Sequence, residues 1–142
     1  MEPPERYRPI VDDFEAFRAA CERPLPSAIR VNTIKATVEQ VRRALDEADI
    51  DYEPVEWHDR VFALPEASPG ANWPYFHGWI HGQEEVSAVP AAVLDPQPGE
   101  RVWDACAAPG SKATQLAALL DDEGSVVATD NNLGRISALR TN

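Results

Sequence analysis

The sequence has 142 residues, 44% of them hydrophobic, and a formal net charge of −11 from 24 acidic and 13 basic side chains. That allows one ordinary domain or two small ones with an apolar core. No stretch is apolar for long enough to span a membrane, MEPPERYRPI lacks the apolar run of a signal peptide, and two distant cysteines exclude a disulfide scaffold, so a reducing cytoplasm is the expected compartment.

In chain order, residues 11–22, VDDFEAFRAACE, predict a short amphipathic helix ended by Pro24 and Pro26. Phe14, Phe17 and Cys21 share one face of it, so Cys21 is expected to be buried and inert. Residues 28–32, AIRVN, read as a strand. Thr37 and Gln40 form a capping box for a helix with Val38, Val41, Leu45 and Ala48 on its apolar face. YEPVEW and RVFAL read as two short strands, completing a βαββ pattern compatible with part of a small α+β RNA-binding fold.

PEASPGANWPYFHG, rich in Pro, Gly and aromatics, reads as a linker. Trp73, Tyr75, Phe76 and Trp79 offer stacking surfaces for bases, but burial at a domain seam is the expectation. His77 and His81 are near each other, yet no cysteine or acid cluster completes a metal site, and none is assigned.

A second piece begins near Trp79. EEVSAVPAAVL predicts a helical segment interrupted by Pro90, and DPQPGE a turn. A strand over 101–106, a helix over 113–120, a parallel strand over 125–129 and a helix from Leu133 follow, with Leu133, Ile136 and Leu139 expected inward. This βαβα order is the opening of a doubly wound sheet. The expected division is 1–72, a small α+β domain; 73–100, a linker and lead-in helix; and 101–142, the start of an α/β domain.

RVWDACAAPGSKATQ, residues 101–115, is the segment with the most chemistry in it. It reads as a buried strand, a tight loop of small residues and a helix start, which brings backbone N–H groups towards a ligand. Ser111 splits Gly110 from Lys112 and Ala113 follows, so it is no P-loop; with Gly110 alone it is no dinucleotide fingerprint either. Ala107, Ala108, Pro109 and Gly110 would let a ligand lie close to the backbone. Asp104 ends the first strand and Asp130 the second, where an acid suits ribose hydroxyls. An ordinary crossover without a ligand is the alternative reading.

DACAAPGSKATQ resembles the cofactor motif of the Nop/Sun family of RNA 5-methylcytosine methyltransferases, Asp-x-Cys-Ala-Ala-Pro-Gly-Gly-Lys-Thr. WIHGQEEVSA is similar to that family's Gln-Asp/Glu-x-Ser stretch. GSVVATDNNLGRISALRTN is similar to its Asp-x4-Arg-x3-Leu-x2-Asn stretch through Asp130, Arg135, Leu139 and Asn142. SAIRVNTIKATVEQVRRAL resembles its Arg-x-Asn-Thr-Leu-Lys segment through Arg30, Asn32, Thr33 and Lys35. The resemblance covers about residues 26–142. Two departures stand out: Ser111 replaces a glycine, and Ala113 a threonine, with Thr114 one place later.

The resemblance implies an α/β fold, the start of a Rossmann-like class I methyltransferase sheet preceded by a small α+β domain of ferredoxin or RRM type. It implies S-adenosylmethionine as cofactor, held by Cys106, Ala107, Ala108, Pro109, Gly110, Ser111, Lys112, Asp130 and Arg135. It implies RNA, tRNA or rRNA, as partner, contacted through Arg30, Asn32 and Lys35. Family chemistry uses a cysteine thiolate against cytosine C6, with a second cysteine assisting release. Both lie in later motifs, so neither Cys21 nor Cys106 is expected to be catalytic. The chain is expected to be an N-terminal portion, inactive and a weak cofactor binder until a C-terminal half is supplied. A non-catalytic S-adenosylmethionine- or RNA-binding fragment is the alternative.

An acidic chain is unexpected for a protein that binds phosphates. Either it binds no nucleic acid, or it comes from a high-salt cytoplasm, where carboxylates keep it soluble and their repulsion is screened. Two lysines, Lys35 and Lys112, against eleven arginines favour the second. Arg42 and Arg43 are further RNA candidates; a solvated helix face is their plainer reading.

Overall fold

A computed structural model of the protein describes residues 5–142. Residues 1–4, part of the segment read for a signal peptide, lie outside the described residues. A 3-10 turn over Glu5–Ile10 leads to helix α1, Phe14–Cys21, capped by Asp13, whose carboxylate accepts the Ala16 amide at 2.9 Å. Strand β1, Ser27–Val31, precedes helix α2, Val38–Glu47. The expected capping box is formed: the Thr37 hydroxyl accepts the Gln40 amide at 3.2 Å, and the Gln40 side chain accepts the Thr37 amide at 2.8 Å. Two donors that a helix start leaves free are thereby satisfied.

Strands β2, Glu53–Val55, and β3, His58–Leu64, follow. A 3-10 turn at Pro69–Ala71 and the short helix α3, Trp73–Phe76, then lead to strand β4, Ile80–Gly82. The four strands form one antiparallel sheet in the order β2-β3-β1-β4. Ile29 and Val31 of β1 join Phe62, Leu64 and Ile80 beneath Val41 and Leu45 of α2 in the main core. Phe62 is fully buried, and Phe62→Ala would cost about 3–5 kcal/mol.

The opposite sheet face is also covered. Helix α4, Glu85–Leu94, brings Ala88 against Val55 and Val61. Arg30 lies opposite Val61 on one side and His81 on the other. Residues paired in this way share a face of the sheet, so Val61, Arg30 and His81 form a row turned away from α2.

The second unit holds strand β5, Arg101–Asp104, helix α5, Ser111–Leu119, strand β6, Ser125–Ala128, and helix α6, Leu133–Thr141. β5 and β6 pair in parallel, with Asp104 opposite Ala128. Gly124 closes the turn before β6 at φ +141°, and a Cβ there would sit 2.6 Å from the Glu100 carbonyl oxygen, so only glycine fits.

Several expectations are corrected. The expected linker contributes β4, which pairs with β1, so the first sheet runs to Gly82. The strand expected over 101–106 ends at Asp104, and the helix expected from 113 begins at Ser111. α4 continues through Pro90. Cys21 is exposed. Ala48 lies beyond the buried stripe of α2, where Ala44 is buried instead. Leu133 is 84% exposed; only Ile136 and Leu139 of α6 are half-buried. Trp73, Tyr75 and Phe76 are exposed, whereas Trp79 packs against the core.

Candidate functional site

The 105–110 loop carries mostly side chains too small to make contacts of their own, so neighbouring residues hold it by its backbone. The Asp104 carboxylate accepts the Cys106 amide at 3.2 Å, and the Ala107 amide donates to the Thr129 carbonyl at 2.9 Å. Asp130 accepts the Ala108 amide at 3.0 Å, and Arg135 donates to the Ala108 carbonyl. The next two carbonyls are tied down as well: Asn142 donates to Pro109 and the Thr114 hydroxyl to Gly110, each at 2.8 Å. Side chains thus anchor three successive carbonyls. Gly110 has φ +120°, which favours glycine, and a Cβ there would crowd the Leu139 side chain of α6 at 3.2 Å.

Helix α5 starts directly after this loop with no side-chain cap. Its first backbone N–H groups and the positive end of its dipole are therefore available to a ligand. Asp130 also accepts the Asn132 amide at 2.8 Å, and Asn132 caps α6 by accepting the Gly134 and Arg135 amides. The Asn132 amide, then the Ala108 amide and the Arg135 charge, hold the Asp130 carboxyl below the usual carboxylate range despite some desolvation. One oxygen of Asp104, Oδ2, is buried with no hydrogen-bond partner among the described residues.

The loop forms one wall of a cavity of about 350 Å³. Cys106, Ala107, Ala108, Pro109, Ser111, Lys112 and Arg135, all expected together from the sequence, line it. Gly110 and Asp130 act on the backbone of this wall. Gly82, Gln83, Glu84 and Ser87 complete the lining, and Ser87 accepts the Lys112 ammonium at 3.4 Å. Their stretch, QEEVS, had carried a resemblance but no assigned role.

His81 and Ser111 join the two units, with His81 Nε2 at 3.2 Å from Ser111 Oγ. Burial, and secondarily the Arg30 charge, lowers the His81 pKa and favours neutral imidazole. A second cavity of about 300 Å³ is lined by residues of both units, Asn32, Lys35, Tyr75, Phe76 and His81 from the first and Thr114, Thr141 and Asn142 from the second among them. Lys35 is exposed there. Asn32 is committed in part to the backbone, donating to the Gly78 carbonyl at 3.0 Å and accepting the Ile34 amide at 3.3 Å.

Arg30 lines this cavity too, from within the seam between the units. It was placed among residues contacting RNA, but it is 2% exposed and its guanidinium is engaged by Gln83 Oε1, Thr114 Oγ1 and the Val31 carbonyl. Burial pushes its pKa down to about 10, which still leaves it charged at neutral pH.

Comparison with known proteins gives the geometry a lineage. Residues 5–85 match the family model of the N-terminal domain of 16S rRNA methyltransferase RsmF, and residues 91–142 that of 16S rRNA methyltransferase RsmB/F. A tRNA (cytosine(49)-C(5))-methyltransferase of Pyrococcus abyssi is 37% identical over 97% of this chain and 45% of its own length. The ribosomal RNA small subunit methyltransferase F of Shigella dysenteriae is 36% identical over 94% of this chain and 29% of its own. The crystal structure of a methyltransferase homolog from Pyrococcus horikoshii superposes with a TM-score of 0.81 at 35% identity, covering 87% of this chain and 41% of that one. The chain thus spans less than half the length of these relatives. By these matches it belongs to the Nop/Sun family of RNA cytosine-5 methyltransferases, whose N-terminal portion it resembles.

Proposed function

We propose that this chain forms the cofactor-loop portion of an S-adenosylmethionine-dependent RNA cytosine-5 methyltransferase acting on tRNA or rRNA. The observation that carries the proposal is the anchored 106–112 loop at the carboxyl ends of two parallel strands, beside an uncapped helix start. The residues present suit the cofactor. Asp130, held as a carboxylate, keeps acceptor capacity for ribose hydroxyls. Lys112 and Arg135 line the cavity and offer positive charge to a carboxylate. The unpartnered oxygen of Asp104 is a buried acceptor that a ligand's amino group would satisfy. When bound, S-adenosylmethionine supplies an electrophilic methyl group.

Cys106 serves in this reading as loop backbone and cavity wall. The reacting cysteine expected for the family lies in later motifs, so methyl transfer requires the segments that the relatives carry beyond the matched portion. Lys35, Tyr75 and Phe76 are the groups we assign to RNA: one cation and two exposed aromatic rings around one cavity, the combination that binds unstacked bases. No helix among the described residues is long and apolar enough to cross a membrane. A cytoplasm of high ionic strength is the setting we propose for so acidic a surface.

Calorimetric titration with S-adenosylmethionine tests the assignment. Weak saturable binding, lost in Asp130→Ala, is expected. Binding that is indifferent to Asp130→Ala would remove the site assignment.

A further inference from the structure

We propose that Arg30 is a positioning residue for the cofactor loop: it holds the Thr114 hydroxyl, which holds the Gly110 carbonyl, so the first sheet sets the conformation of the 106–112 segment. The cofactor part of this inference rests on the function proposed above; the positioning part does not.

A guanidinium only donates. Nη2 of Arg30 lies 2.9 Å from Thr114 Oγ1, so that hydroxyl must accept there, and its own proton is directed elsewhere. Its partners are the Gly110 carbonyl at 2.8 Å and the Ser111 carbonyl at 3.1 Å. Gly110 ends the loop and caps α5. The path from β1 to the loop is therefore two hydrogen bonds long, and Arg30 fixes the direction of both.

A second branch leaves the same guanidinium. Nε donates to Gln83 Oε1 at 2.8 Å, which fixes the orientation of the Gln83 amide. Gln83 Nε2 then donates to Gln115 Oε1 at 2.8 Å, and Gln115 Nε2 to the Ala88 carbonyl at 3.0 Å. Arg30, Gln83 and Gln115 are each buried. A charge buried at this seam is costly unless every donor is used, and breaking such a set exposes its orphaned acceptors to the full penalty. One donor-only side chain thus orients the buried amides that link β1 to α4 and α5.

Amide hydrogen exchange on the whole chain tests this. Thr114→Val removes the relay and leaves Arg30 its bonds to Gln83 and Val31, so the fold is retained. The amides of residues 110–116 should exchange about tenfold faster while those of α2 stay unchanged. Thr114→Ser should restore protection. Arg30→Met should match Thr114→Val in the loop, and the double variant should be no worse there than the more severe single one. Unchanged exchange in the loop, equal acceleration in α2, or additive effects would overturn the proposal. Where the wild-type chain binds S-adenosylmethionine, Thr114→Val should weaken binding about tenfold, and equal affinity would count against positioning. A wild-type chain that binds none would refute the cofactor reading alone, with exchange still deciding the role of Arg30.

Discussion

The Ala108 amide donates to the Asp130 carboxylate at 3.0 Å, joining the loop after β5 to the loop after β6. Arg135, from the helix that follows Asp130, holds the carbonyl of the same residue. A single residue is therefore clamped on both of its backbone polar groups by one acid and one base. Their side chains set where the backbone donors of α5 stand.

Asp130→Asn should loosen this clamp. The amide can accept one of the two backbone donors that the carboxylate now accepts. Because the folded-state pKa is depressed below 3.8, the acid stabilises the fold above that value, and the contribution fades as pH falls through the folded value. The melting temperature of Asp130→Asn should lie below wild type at pH 7, with the gap closing in strong acid. A constant gap from pH 7 to pH 2 would show that the carboxylate charge does nothing here.

His81 gives the opposite acid–base case. Its folded pKa lies below 6.5, so the neutral form is the folded form. Its stabilising contribution is complete above 6.5 and is lost as pH falls from there towards the folded value. His58 is shifted in the same direction, mainly by burial, so the wild-type curve contains both. His81→Gln should flatten the decline between pH 6.5 and 5 and leave the part due to His58. Identical curves for wild type and variant would assign the whole decline elsewhere.

RNA affinity should depend on the rim of the second cavity. Lys35→Ala should weaken binding to unmodified tRNA and lower the salt slope by about one. Phe76→Ala should weaken it with the salt slope kept, because stacking carries no counterion release. Filter binding at several KCl concentrations separates the two. Arg30→Lys, a change of a buried residue, should leave the slope alone; a fall in slope there would return Arg30 to the RNA surface.

Charge repulsion is the fourth expectation. Among the described acidic side chains, only Glu5, Glu15, Glu22 and Asp59 take part in ion pairs. The net charge of −11 is then countered chiefly by dissolved salt. Circular dichroism should show helix content rising from dilute buffer to molar KCl. A flat response would remove the high-salt setting.

Local signals were legible where the chemistry is local. Thr37 and Gln40 announce a helix start without help from the rest of the chain, and the small residues 107–110 announce a close-approach loop. Arg30 was assigned to RNA through the resemblance, while AIRVN by itself reads only as a strand. Its second face is covered by α4 and α5, which nothing within those five residues reveals. The same distance effect hid Gln83, Thr114 and Gln115, ordinary polar residues until Arg30 orients them. β4 was missed because IHG is short and lies between Gly78 and Gly82, so it reads as a turn and becomes a strand only beside β1. Leu133 fits a helical apolar stripe, but no element in the described residues covers it.

We propose that the 106–112 loop with Asp130 and Arg135 holds S-adenosylmethionine. The direct measurement is a nitrogen-15 NMR titration of this chain with the cofactor at high potassium. Saturable shifts are expected at the amides of residues 106–113 and 130–135, with β2 and β3 still. Absence of shifts at millimolar cofactor, or shifts gathered around Lys35 and Tyr75 instead, would contradict it.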